Sequence, residues 1–364
     1  MRRIRIRETA SCAILIGLSP LFGQGLTLVG SGYSNPTSIR VSPGQITTVF
    51  VSGLTLDLTK PQKATSLPLP NSLAGISVTI NQSSPKQSVP APLLAVQQLN
   101  NCSNSGAPST PPDCMVGAIT LQIPYELTPL PTVAGDFSVP STTELVVTAN
   151  GVASKAFSLL TITDTLHVLN NCDAFPPKQS SGTWVDVNTF QNPPCPSTVT
   201  HADGTLVTTN SPAKPGETVV IYAYGLGQTT PAVKSGEATP IPAPVLLGGF
   251  LYARTVAVQF DFRPNAAPSN PYLTIQGVIS STPITGPVAP TPTFVGLTPG
   301  QVGLYQINVQ LPSAFPAALV PCTTLAVGTG NPAYPPAVVQ SNLTIDIGGV
   351  SSFDGAAICI QPGQ

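Results

Sequence analysis

Ser42-Pro-Gly-Gln-Ile-Thr-Thr-Val-Phe-Val-Ser-Gly-Leu54 aligns without a gap on Lys214-Pro-Gly-Glu-Thr-Val-Val-Ile-Tyr-Ala-Tyr-Gly-Leu226. Each stretch reads as a Pro-Gly turn, a run of branched and aromatic residues suited to a pleated surface, and a Gly-Leu exit. Two further pairs keep the same order. Ile119-Thr-Leu-Gln-Ile-Pro124 matches Ile307-Asn-Val-Gln-Leu-Pro312, and Leu145-Val-Val-Thr-Ala-Asn-Gly-Val-Ala-Ser154 matches Leu343-Thr-Ile-Asp-Ile-Gly-Gly-Val-Ser-Ser352. One such match between short strands arises by chance. Three in one order mark a duplication, with longer loops in the second copy.

Composition points the same way. Of 364 residues, 41 % are hydrophobic and 42 are proline. Proline removes a backbone donor and clashes with the preceding helical turn, so its recurrence leaves little room for long helices. The expectation is an all-β chain of two tandem immunoglobulin-like β-sandwich domains. In the first copy strands are expected near 37–41, 45–52, 75–80, 93–99, 117–123, 143–149 and 155–163. In the second they are expected near 205–209, 217–224, 254–260, 272–279, 302–310, 322–327 and 341–347. Seven short strands separated by Pro, Gly, Asn and Ser clusters are the pattern of such a sandwich.

The ends and the middle read differently. Arg2, Arg3, Arg5 and Arg7 precede an apolar run from Cys12 to Phe22, the order of a secretory signal peptide over residues 1–25. Removing it leaves 10 basic and 14 acidic residues, a net charge of −4. No basic face for phosphates is expected, so nucleic acid is excluded as a partner. No later run is long and apolar enough to span a membrane as a helix. The first sandwich is expected over 26–170, a Pro-rich connector over 171–197, and the second sandwich over 198–364.

Six cysteines remain after the signal peptide and fall as neighbours: Cys102 with Cys114, Cys172 with Cys195, and Cys322 with Cys359. Export favours disulfides, and sequential pairing is the expected one of the fifteen possible. With only two histidines and no Cys-x-x-Cys, a zinc site is not expected, nor any cofactor.

Within the second copy, His201-Ala-Asp-Gly-Thr-Leu-Val-Thr-Thr-Asn210 and the segment Pro215 to Gly227 resemble the Solibacter-type uncharacterised C-terminal domain family of secreted acidobacterial proteins. Gly296-Leu-Thr-Pro-Gly-Gln-Val-Gly-Leu-Tyr-Gln-Ile-Asn-Val-Gln-Leu-Pro312 and Ile347-Gly-Gly-Val-Ser-Ser352 carry the same resemblance. It implies an extracellular location and a fold similar to the immunoglobulin-like domains of plexins and certain transcription factors. It implies no catalytic residues.

Chemistry is sparse. His201 with Asp203 would pair as base and orienter, but Asp203-Gly204 reads more simply as a turn. His167 reads as a half-buried strand residue, and Asp203, Asp346 and Asp354 are the available calcium ligands. No Gly-x-Ser-x-Gly, His-Glu-x-x-His or P-loop is present. Tyr222 and Tyr224 alternate and share a face, Phe50 matches Tyr222, and all three read as core. Trp184, the only tryptophan, lies in the connector near Phe175 and Phe190 and reads as a ligand contact or a plug between the domains. The expected function is that of a secreted, non-enzymatic binding module. Its partner would be an unidentified polar ligand, a glycan or an envelope protein, met through loops or an inter-domain groove. A self-assembling structural subunit of the envelope or matrix is the other reading.

Overall fold

The computed structural model describes residues 26–32, 40–54, 56, 58, 60–100, 114–129, 142–171, 173, 179–180, 183–184, 196–246, 255–262, 288–315, 319, 322, 341–348 and 352–361. The signal-peptide segment, Cys102, Cys172, Cys195, Phe175, Phe190 and the expected strand 272–279 lie outside them. The described residues form strands, turns and bends with no α-helix, and none of their elements is a helix long and apolar enough to cross a membrane.

In the N-terminal half, a five-stranded sheet runs in the order Thr27–Gly32, Ile46–Ser52, Met115–Gln122, Leu93–Asn100, Gln62–Lys63. A second sheet runs Arg40–Val41, Phe157–Thr161, Thr143–Ala149, Ile76–Ser83, Ser72–Leu73, with Val152–Ala153 and Lys86–Pro90 on its flanks. Alternation along Ile76–Ser83 sends Ile76, Val78 and Ile80 inward, where they meet Val49, Val51, Ile119 and Leu121 of the first sheet in one apolar cluster. Two sheets enclosing one core are consistent with a β-sandwich.

The C-terminal half repeats the plan. Its larger sheet runs His167–Val168, Thr218–Tyr224, Tyr305–Gln310, Phe294–Leu297, Val245–Leu246, Thr229–Thr230, with Val199–His201 also on Thr218–Tyr224. A three-stranded sheet of Val256–Phe260, Leu343–Ile347 and Ser352–Ala356 packs against it through Val219, Ile221, Ile307, Val258 and Ile345.

The matched segments are equivalent down to single residues. Val49 pairs with Ile119, and their counterparts Ile221 and Ile307 pair with each other. Ile46 opposite Gln122 becomes Thr218 opposite Gln310. Gly44 and Gly216 share a φ of 80° and 73°, and Gly53 and Gly225 one of 74° and 76°. That left-handed conformation is the reason both turns carry glycine. Asn150, at φ 49°, is matched by Gly348 at 68°.

Three expectations need correction. The strand expected at 205–209 is not one: turns at Asp203-Gly204 and Thr208–Ser211 leave too few residues between them, and only isolated bridges remain. The strand of that region is Val199–His201. Tyr222 and Tyr224 do share a face, but it is the half-buried one, since Val219, Ile221 and Ala223 take the core side. Phe50 is buried away from the main core, with Leu99, Val116 and Ala118.

The halves meet over a closed seam. Tyr125, from the first half, belongs to the second core, where its hydroxyl lies 3.4 Å from that of Tyr305. Gln122 Oε1 accepts from Gly236 N at 2.6 Å, Ser235 Oγ accepts from Tyr125 N at 2.8 Å, and Ser42 Oγ donates to Gly225 O at 3.2 Å. A Cβ on Gly303 would stand 2.7 Å from the Gly44 carbonyl, so the backbones touch there.

Candidate functional site

The connector ends where the chain returns beside itself. Asn171 N donates to Pro196 O at 3.0 Å, and Asn170 bridges Ser197. From Pro196 the chain enters Val199–His201, turns at Asp203-Gly204, and comes back as Leu206 and Val207, with Val207 N donating to Val199 O. It turns again at Thr208–Ser211, closed by hydrogen bonds in both directions, and Ala213 N then reaches Cys359 O on the C-terminal segment.

Between this double hairpin and residues 357–359 lies a cavity of about 470 Å³. Leu206, Val207 and Ile358 supply apolar wall, Ser197, Thr198 and Thr208 supply hydroxyls, and among the described residues no charged one lines it. The disulfide Cys322–Cys359 forms part of the lining and closes a 37-residue separation. This pairing is as expected. Cys114 is disulfide-bonded as well, while its expected partner Cys102 and the pair Cys172 and Cys195 lie outside the described residues.

Two histidine clusters lie in the same half. His167 sits between two carboxylates, with Nε2 2.8 Å from Asp173 Oδ2 and Nδ1 3.4 Å from Asp354 Oδ2. Asp173 Oδ2 also accepts from Asn170 N, and Asp354 Oδ2 from Val168 N. Burial alone would lower the His167 pKa, but the hydrogen bonds and charges of Asp173 and then Asp354 outweigh it and push it up to about 10. The imidazolium therefore ties the connector base to the strand Ser352–Ala356. Tyr224, opposite His167 in the ladder, is pushed up to about 12 by burial and by the Asp173 charge.

His201 does not pair with Asp203. The Asp203 carboxylate accepts from the Thr205 hydroxyl at 2.6 Å and the Thr205 N–H at 2.9 Å, which hold its pKa below the ordinary range. His201 instead places Nδ1 3.0 Å from Glu217 Oε1 and Nε2 3.1 Å from Ser211 Oγ. Nε2 is also 3.2 Å from the Ser211 carbonyl. Sequence reasoning missed Ser211, Glu217 and Asp173. A signal for Glu217 existed in the repeat, where its counterpart Gln45 also turns its side chain to a neighbour, accepting from Ser42 N.

The calcium set is not assembled. Asp203 is spent on Thr205 and Asp354 on His167, and among the described residues no three His, Cys, Asp or Glu side chains converge as a metal site. Trp184 belongs to a two-residue strand, Thr183–Trp184, paired with Gln179–Ser180. No family model and no curated protein matches the chain.

Proposed function

We propose that the chain is a secreted binding protein of two tandem immunoglobulin-like sandwiches, and that it holds a neutral, hydroxyl-bearing ligand, a glycan being the simplest case, in the cavity beside Cys322–Cys359. The observation that carries this reading is the lining. At about 470 Å³ the cavity falls within the ordinary range for small-molecule sites. Leu206, Val207 and Ile358 offer apolar surface to the C–H face of a sugar ring, while Asn171, Ser197, Thr198 and Thr208 surround it with hydrogen-bonding groups. Among the described residues of the lining an ion would find no counter-charge. The seam between the halves is filled at Tyr125, Ser235 and Gly236, which favours the cavity over an inter-domain groove. The disulfide and the resemblance to a family of secreted proteins support the extracellular setting.

Calorimetric titration of residues 26–364 with neutral tetrasaccharides of glucose, xylose and N-acetylglucosamine tests the reading. Binding by at least one, abolished in Leu206→Asp, is expected. Leu206 is 55 % exposed, so that variant keeps its fold. No binding by any of the three, or equal binding by the variant, overturns the assignment. Mass that grows with protein concentration in its place supports a self-assembling subunit.

A further inference from the structure

We propose that Ser211, His201 and Glu217 form a hydrolytic relay that cleaves small uncharged carboxylic esters at the rim of the cavity. The three side chains come from separate pieces of the second half. His201 ends the strand Val199–His201, Glu217 precedes Thr218–Tyr224, and Ser211 closes the turn after Thr208. Ladder pairing of His201 with Val219 brings the first two together.

The order of contacts suits nucleophilic attack. Glu217 Oε1, 3.0 Å from Nδ1, accepts an N–H there and so leaves the Nε2 lone pair facing Ser211 Oγ at 3.1 Å. The Ser211 hydroxyl is exposed, while His201 is mostly covered. A nucleophile reachable by substrate thus rests on a base held in place from behind. Once the imidazole has taken up the proton, the Ser211 carbonyl, 3.2 Å from Nε2, accepts a hydrogen bond from the Nε2–H.

The surroundings supply two more requirements. Thr208 and Thr209 line the cavity, and Ser211 belongs to the same four-residue turn. Ser211 N is occupied by Thr208 O and Oγ1, but the N–H groups of Thr209 and Asn210 make no hydrogen bond among the described residues. They are the donors on that turn for a developing oxyanion. At the gap-free offset of the first matched pair, the position matched to His201 in the first copy is Val29, so the relay belongs to the second copy alone.

The reaction balances without a cofactor. Ser211 Oγ adds to the ester carbonyl as its proton passes to His201 Nε2. The tetrahedral adduct then expels the alcohol, which takes that proton, and leaves an acyl-serine. Water, deprotonated by Nε2, attacks the acyl carbon and frees the carboxylic acid, and the proton returns to Ser211 Oγ. Placement of the remainder of the ester rests on the cavity reading above.

The test uses residues 26–364 with 4-nitrophenyl acetate as substrate and a fluorophosphonate as covalent probe. Repeated turnover above the buffer rate is expected, reduced about a hundredfold or more in Ser211→Ala and His201→Gln. The probe is expected on Ser211 by peptide mass. Near-UV circular dichroism of Ser211→Ala establishes that the fold persists. Wild-type turnover in that variant, or no probe on Ser211, overturns the relay. Leu206→Asp separates the two readings: a raised KM with labelling intact supports both. An unchanged KM with Ser211→Ala inactive leaves the relay standing and removes the cavity as its substrate site.

Discussion

The Tyr125 and Tyr305 hydroxyls, one from each copy of the repeat, stand 3.4 Å apart in the buried seam, and Tyr305 donates to the Gly227 carbonyl. Burial holds the Tyr125 phenol well above its ordinary pKa, so it stays neutral. Each half builds a core between its own sheets, yet the second core includes a ring from the first half. Tyr125→Ala is expected to cost about 3–5 kcal/mol, the range for a large buried side chain. The fragment 163–364, which keeps His167–Val168 but lacks that ring, is expected to unfold at lower denaturant than the intact chain. Urea titration of both, under oxidising conditions, measures the difference. Coincident midpoints for the fragment and the intact chain would show the seam contributes nothing.

Equivalent glycines should respond unequally. Gly44 and Gly216 occupy the same place in the two copies with nearly the same positive φ. A Cβ at Gly216 meets nothing closer than 3.9 Å, but one at Gly44 would fall 2.0 Å from the Tyr125 ring. Gly216→Ala therefore carries only backbone strain, about 1–2 kcal/mol. Gly44→Ala carries the same strain and must also displace Tyr125. Thermal unfolding of the two variants side by side should show a clearly larger loss for Gly44→Ala.

His167 sets a pH dependence with a definite sign. Its folded pKa, about 10, lies above the ordinary 6.5. The stabilisation from its carboxylate partners is therefore fully present below about pH 6.5 and is lost as pH rises through 10. Tyr224, raised to about 12, destabilises the fold at the alkaline end for its own reason, since unfolding releases its proton more readily. The difference between wild type and His167→Gln isolates the histidine. Stability curves from pH 6 to 10.5 should converge as pH rises. Parallel curves would show that the imidazole is not charged between Asp173 and Asp354.

The disulfide Cys322–Cys359 closes a separation of 37 residues, and replacing both cysteines by alanine is expected to cost about 3–4 kcal/mol in the chain-entropy model. Non-reducing peptide mapping should find that pair together with 102–114 and 172–195. Pairing of any of these cysteines across the two halves would refute the sequential scheme.

The strands of the repeat were legible because turn chemistry and period agreed there. Pro-Gly entry, Gly-Leu exit and alternating branched residues located Ile46–Ser52 and Thr218–Tyr224 to within a residue or two. Polar contacts over long separations were not legible. Nothing local tells His201 to turn from Asp203, two residues away, toward Glu217 and Ser211. That choice follows from Thr205 capturing the aspartate and from the ladder carrying Glu217 alongside. Tyr125 was hidden for a similar reason. It follows Pro124 outside any strand, and only the seam reveals that its ring completes a neighbour's core.

The hydrogen bond from Asn171 to Pro196 and the bridge from Asn170 to Ser197 bring the chain back to its point of departure. The strands on either side, His167–Val168 and Val199–His201, both take their register from Thr218–Tyr224 and not from the chain that joins them. Loop-closure entropy grows slowly with length, so a longer or shorter excursion changes it by only about 0.6 kcal/mol per doubling. This makes the position a natural graft point. A foreign peptide, or an entire domain with adjacent ends, can be spliced between Asp173 and Pro196 and displayed beside the cavity with the His167–Asp173 pair kept.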